Sequence, residues 1–187
     1  MLGKGITVGK VQIAFATRDR SICKALEKCA NDVEGDDPGS LAQFTNEICL
    51  VLLRNSADWV GACSASKWFT SDDAGKAEKL HNEWVNKEAS KFEKEYIPSS
   101  NDETKAGGPT TVVVSLVVEI QGDSTNFDGA GFSLAGTKEV ITSLASDVLV
   151  DEGYCLNASE VFWCPSDPTE VMSSIDVITD FPEIVDL

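Results

Sequence analysis

The chain predicts an α+β fold, a small mixed sheet of about three or more strands covered by about five helices. Three observations carry this. Val11, Ile13 and Phe15 alternate with Lys10, Gln12 and Ala14, the period of a half-buried strand. Thr110 to Gln121 is β-branched and apolar at nearly every position, as in an inner strand covered on both faces. Between and after them run several segments with apolar residues at helical spacing.

Taken in order, the first strand leads into a helix that Asp19 or Ser21 can cap, with Ile22, Ala25, Leu26, Cys29 and Ala30 on one side. Glu34 to Gly39 is a turn by composition. Ser40 caps a second helix whose apolar positions are Leu41, Phe44, Ile48, Val51 and Leu52, ending near Arg54 and Asn55. Residues 56–70, with Trp59 and Trp68, have no period that assigns them. A long helix runs from Ser71 to about Tyr96, on a stripe of Ala77, Leu80, Trp84, Val85, Ala89 or Glu88, and Phe92. Lys79–Glu83 and Glu83–Lys87 are four-residue pairs suited to a solvated side.

Residues 98–109 are polar and turn-rich, and read as a mobile loop inside a single domain of residues 1–187. After the inner strand, Thr137 caps a helix with Val140, Ile141, Leu144, Ala145 and Val148 inward. Ala158 to Cys164 is another strand, stopped by Pro165. Asp167-Pro168 opens a last helix that continues to about Thr179.

The formal charge of −16 is unevenly placed: −3 over residues 1–109 and −13 over residues 110–187, where Lys138 is the one basic residue. Such a surface repels nucleic acid and anionic lipid, so any partner it meets is expected to be basic or to be met through cations. The acids from Asp123, Asp151, Asp167, Asp176 and Asp186 are expected to form one continuous face. The longest unbroken apolar run is six residues, Ile48 to Leu53, against the ~20 that a spanning helix needs.

No residue pattern assigns a catalytic site, a cofactor or a metal site. The six cysteines, at 23, 29, 49, 63, 155 and 164, lack CxxC spacing and read as reduced. Asn157-Ala-Ser159 matches the glycosylation triplet, a pattern too short to weigh against reduced thiols. His81, the single histidine, reads as a helix-surface residue. Asp36-Asp37, Asp72-Asp73 and Asp151-Glu152 lack the spacing of a calcium loop. Gly129-Ala-Gly131 lacks that of a phosphate loop.

Five ordered segments carry a resemblance: Leu50 to Val60, Glu88 to Glu95, Val112 to Val118, Val161-Phe-Trp-Cys-Pro165 and Phe181-Pro-Glu-Ile184. With them the chain resembles an uncharacterised-domain family of cyanobacteria and chloroplasts. That family includes the plant fluctuating-light-acclimation protein. The resemblance implies a non-enzymatic regulatory or interaction domain in acclimation of photosynthesis and photoprotection to changing light. It implies a location in the chloroplast, facing the stroma at the thylakoid or envelope membrane, with attachment through segments absent from this chain and a protein partner there. A cytoplasmic location is the alternative. Two other functions stay open: an enzyme using His81 or a reactive cysteine, and an acidic sensor of divalent ions or pH.

Overall fold

Strand β1 (Ile6–Thr17) is the middle of a five-stranded sheet. The structure, a computed structural model, describes residues 1–96 and 108–187. After β1 come helices α1 (Ser21–Asn31) and α2 (Pro38–Arg54), strand β2 (Trp59–Phe69), helix α3 (Ala74–Phe92) and strand β3 (Thr110–Gln121). Helix α4 (Leu134–Asp147), strand β4 (Leu156–Cys164), helix α5 (Ser174–Asp180) and the two-residue strand β5 (Val185–Asp186) complete the chain. The strand order is β4-β3-β1-β2-β5. The class is α+β as expected, but every ladder among the described residues is antiparallel, where the sequence reading has a mixed sheet. A helical connection of one or two helices returns each long strand beside an earlier one in the reverse direction.

Alternation divides the sheet into two faces. Val11, Ile13 and Phe15 of β1 join Val112, Val114, Leu116, Val118 and Ile120 of β3 under α1, α2 and α4, which bury Leu26, Ile48, Leu52, Ile141 and Leu144 against them. This is the main core, and Trp59 meets Phe15 edge to face at 6.5 Å within it. Helix α3 crosses the other face. Val8, Phe69 and Ala77 pack at one end of that face, and Ala14, Val113, Met172 and Phe181 at the other.

Several boundaries differ from expectation. Asp37, not Ser40, caps α2: its carboxylate accepts the Ser40 N–H at 3.1 Å. Ser133, not Thr137, caps α4 by accepting the Gly136 N–H at 2.9 Å. Arg20 occupies the position before α1 with φ of 59°. The last helix starts only at Ser174, where Ser173 and Asp176 form a reciprocal capping box. Residues 59–69, unassigned above, are β2. The loop expected near 98–109 lies outside the described residues, apart from Gly108 and Pro109.

Candidate functional site

The α3-side face of the sheet places polar residues where a core would be apolar. Lys10 and Gln12 of β1 lie beside Ser115 of β3 and Cys63 of β2, all four buried. Helix α3 lays Glu88 over them, its side chain only 1% exposed. The groups satisfy one another in a chain. The Cys63 thiol donates to Gln12 Oε1 at 3.3 Å. Gln12 Nε2 donates to Ser115 Oγ at 3.0 Å, and the Ser115 hydroxyl donates to Glu88 Oε2 at 3.3 Å. Glu88 Oε1 then meets the Lys91 ammonium at 3.2 Å and that of Lys10 at 3.7 Å.

The C-terminal segment closes this cluster. Glu183 Oε2 lies 3.8 Å from Lys10 Nζ, and its Oε1 lies 3.5 Å from Lys87 Nζ. Burial pushes the Glu183 carboxyl up, but Lys10, Lys87 and Lys91 outweigh it and hold the group below its usual range. Lys91 also stands over the Phe181 ring, 4.3 Å from its centroid. Two of the segments that carry the family resemblance, those at Glu88 and Phe181, thus meet in one ionic cluster.

The residues considered for catalysis are elsewhere or unsuited. His81 is buried rather than on the surface, because α3 turns it onto the sheet, where Nε2 lies 3.4 Å from the Val117 carbonyl. No cysteine hydrogen-bonds to it among the described residues. All six cysteines are unpaired. Burial pushes the thiols of Cys23 and Cys63 up to about 11, and those of Cys49 and Cys164 to about 12. Cys29 and Cys155 are raised as well, first by burial and then by neighbouring carboxylates. These shifts suppress thiolate, the opposite of what a cysteine nucleophile requires.

The acid pairs resolve into local structure. Asp37 caps α2 and accepts the Ser40 hydroxyl at 2.7 Å. Asp73 meets Lys76 at 2.8 Å. Asp151 lies 3.7 Å from the N-terminal ammonium and accepts from Cys155. Among the described residues no three His, Cys, Asp or Glu side chains gather to hold a metal ion.

Three of the acids expected on one face lie far apart. The Asp123 N–H donates to the Leu2 carbonyl, at the start of β1. Asp167 gives its carbonyl to Arg20, just past the end of β1. Twelve residues of strand separate these ends, about 40 Å at ~3.4 Å each. Asp186 lies on β5, at the sheet's far edge. The chain connects acids that the sheet then holds apart.

What the sequence reading missed is an apolar surface around β5. Gly131 lies against the Ala62 carbonyl and Val185, so the turn before α4 adjoins the short edge strand. Phe132, 90% exposed, stands on that turn and Leu134 opens α4, with Val185 on β5 also in water. The Leu187 N–H bonds to the Val60 carbonyl, which places two more exposed apolar residues beside them. Phe132 following a glycine-rich turn was the available signal, since a turn has no core to receive it.

A family model described as a protein of unknown function (DUF1517) matches residues 5–187. The chain is similar to Protein FLAP1 homolog A of Synechocystis sp., with 23% identity over 205 residues, covering 96% of this chain and 56% of that protein. It therefore spans just over half the length of that relative. No solved structure matches.

Proposed function

The chain belongs to the DUF1517 family of proteins of unknown function, and from that premise we propose that it is a non-enzymatic regulatory or interaction domain. Its setting in this reading is a membrane-associated protein of photosynthetic cells that adjusts photosynthesis and photoprotection to changing light, facing the stroma in chloroplasts. The observation that carries the interaction role is the exposed apolar surface of Phe132, Leu134, Val185, Val60 and Leu187. Large apolar side chains grouped in water mark a docking surface for protein. The raised thiols and the buried His81 count against the enzymatic alternative. No helix among the described residues is long and apolar enough to cross a membrane. In this reading attachment runs through segments outside this chain.

The test is affinity capture from detergent-solubilised photosynthetic membranes, with the wild-type chain and a Phe132→Ser, Val185→Ser variant. One or more membrane proteins held by the wild type and lost with the variant is the expected result. Capture of nothing above background at both low and high salt, or a partner indifferent to the variant, overturns this reading.

A further inference from the structure

Where helix α3 passes over β3 and β4, a cleft of about 420 Å³ opens between them. Its lining includes Glu78 and His81 of α3, Glu119 of β3, and Asn157, Ala158 and Glu160 of β4. No lysine or arginine lines it among the described residues. Residues 97–107 join the described chain at the other end of β3, where Val171 bonds to Tyr96 and Met172 to Thr111. Glu119 is ~27 Å along the strand from Thr111. Eleven residues anchored at both ends beside Thr111 reach out by ~20 Å at most, short of Glu119.

Glu119, 8% exposed, and His81, 5% exposed, are the buried members of this lining. Elsewhere on the same face Glu88 meets two ammonium groups, whereas Glu119 meets none among the described residues. The ladder between β3 and β4 skips Asn157, and this bulge brings its amide onto Glu119. Asn157 Nδ2 donates to Glu119 Oε1 at 2.9 Å, and no described group donates to Oε2. His81 Nε2 lies 3.4 Å from the Val117 carbonyl, which only accepts, so this nitrogen carries a proton. Nδ1 of the neutral ring is then an acceptor, and no described group donates to it. A buried carboxylate without a counterion is costly. The cleft therefore offers unpaired acceptors to a cation that carries N–H groups.

We propose that the cleft binds a free linear diamine or polyamine, with one ammonium on Glu119 and the next on Glu160. Register sets the fit. Glu119 is opposite Ala158, so Glu160 is its diagonal neighbour on the same face, with Cβ atoms ~7 Å apart. That spacing suits two ammonium groups joined by about four methylenes, which lie against Ala158. The inner ammonium also donates to His81 Nδ1, and Glu78 adds charge at the rim. A single metal ion fits less well, since among the described residues no three ligating side chains gather about one point. The proposal goes beyond the interaction reading and does not rest on it or on the surface at Phe132.

The experiment is isothermal titration of the full chain with 1,4-diaminobutane, with butylamine and Mg²⁺ as controls for a single ammonium and a compact dication. The diamine is expected to bind at least about tenfold more tightly than either. Glu119→Gln and Glu160→Gln are each expected to weaken it at least about fivefold, and Asp186→Asn, on β5, by less than about twofold. Amide NMR shifts on saturation should centre on His81, Glu119 and Ala158. Should Glu119→Gln fail to fold, Glu160→Gln decides, since that position is exposed. Equal affinity for the diamine and Mg²⁺ overturns the proposal, because the net charge of −16 alone then attracts cations. So does a loss with Asp186→Asn as large as with Glu160→Gln, or shifts centred elsewhere. A Gly-Lys-Gly peptide that binds the cleft more tightly than the diamine overturns the free-amine assignment, since the ammonium is then a protein's.

Discussion

The Glu88 carboxylate lies 3.7 Å from the Lys10 ammonium in the middle of the sheet's α3 face, and both side chains are almost wholly out of water. Each charge is there at the expense of its hydration, and only the neighbours restore what is lost. Ser115 and Lys91 bond to Glu88, and Glu183 and the Trp84 ring stand near Lys10. The pair ties α3 and the C-terminal segment to β1 in one register, which a plain apolar contact would not specify.

Removing one member leaves the other buried without its counterion. Glu88→Ala is therefore expected to lower stability by about 3 kcal/mol in urea titration. The double change Lys10→Met, Glu88→Leu replaces the pair by apolar volume and should be the less damaging of the two. Equal losses for the single and the double change would show that packing around α3, and not charge balance, governs this face.

Glu183 makes part of this arrangement sensitive to acid. Its folded pKa is held below the ordinary 4.5 by Lys10, Lys87 and Lys91, against the effect of burial. A depressed carboxyl contributes stability above its unfolded pKa and loses it as pH falls through the folded one. The stability difference between wild type and Glu183→Gln should be full above about pH 5. It should shrink on acidification below that. A difference constant from pH 6 to pH 3 would contradict this.

Strands β1 and β3 and helix α4 are legible as elements because alternation, continuous apolarity and helical spacing respectively identify them. The burial of β1 is not: its alternation reads as a half-buried strand, whereas α3 and the C-terminal segment cover Lys10, Gln12 and Ala14 and leave both faces buried. Strand β2 is not legible, because Gly61-Ala-Cys-Ser-Ala-Ser66 contains no β-branched residue. Part of the reason is steric: a side chain on Gly61 would meet Ile184 at 2.7 Å and the Val185 carbonyl at 3.1 Å. A sequence window contains no information about the C-terminal segment that returns to that spot. The ionic cluster was hidden for the same reason. Glu88 falls on the apolar stripe of α3 as an apparent exception, and the Lys10, Ser115 and Glu183 that explain it are far away in sequence.

Thiol chemistry separates the interaction reading from the enzymatic one. With Cys63 raised to about 11 by burial, its thiolate is scarce at pH 7.5. Iodoacetamide at that pH is expected to label Cys29 first, since it is the one cysteine only half-buried, and the other five more slowly than free cysteine. Peptide mapping of a time course would locate the label. A cysteine outpacing the free amino acid would restore a nucleophile to consideration.

Asp167-Pro168 has the composition of a helix start, yet no helix begins there, and Arg20 accounts for this. The Asp167 carboxylate is occupied by the N–H and hydroxyl of Thr169, at 2.8 and 2.6 Å. The Arg20 guanidinium, on a residue only 4% exposed, donates to the carbonyls of Gly108 at 3.0 Å, Asp167 at 3.2 Å and Glu170. One cation thus gathers three backbone carbonyls from two segments and holds residues 167–170 in a turn at the end of the sheet. Lysine is also charged but lacks the planar fork that reaches three acceptors. Arg20→Lys is accordingly expected to cost about 2 kcal/mol, the loss of one to two charge-assisted bonds. The loss should be localised. Hydrogen exchange at Val171, whose N–H bonds to the Tyr96 carbonyl, should accelerate, while amides in the middle of β1 change only with global stability. A uniform change across both sites would mean that Arg20 supports the whole fold and not this turn.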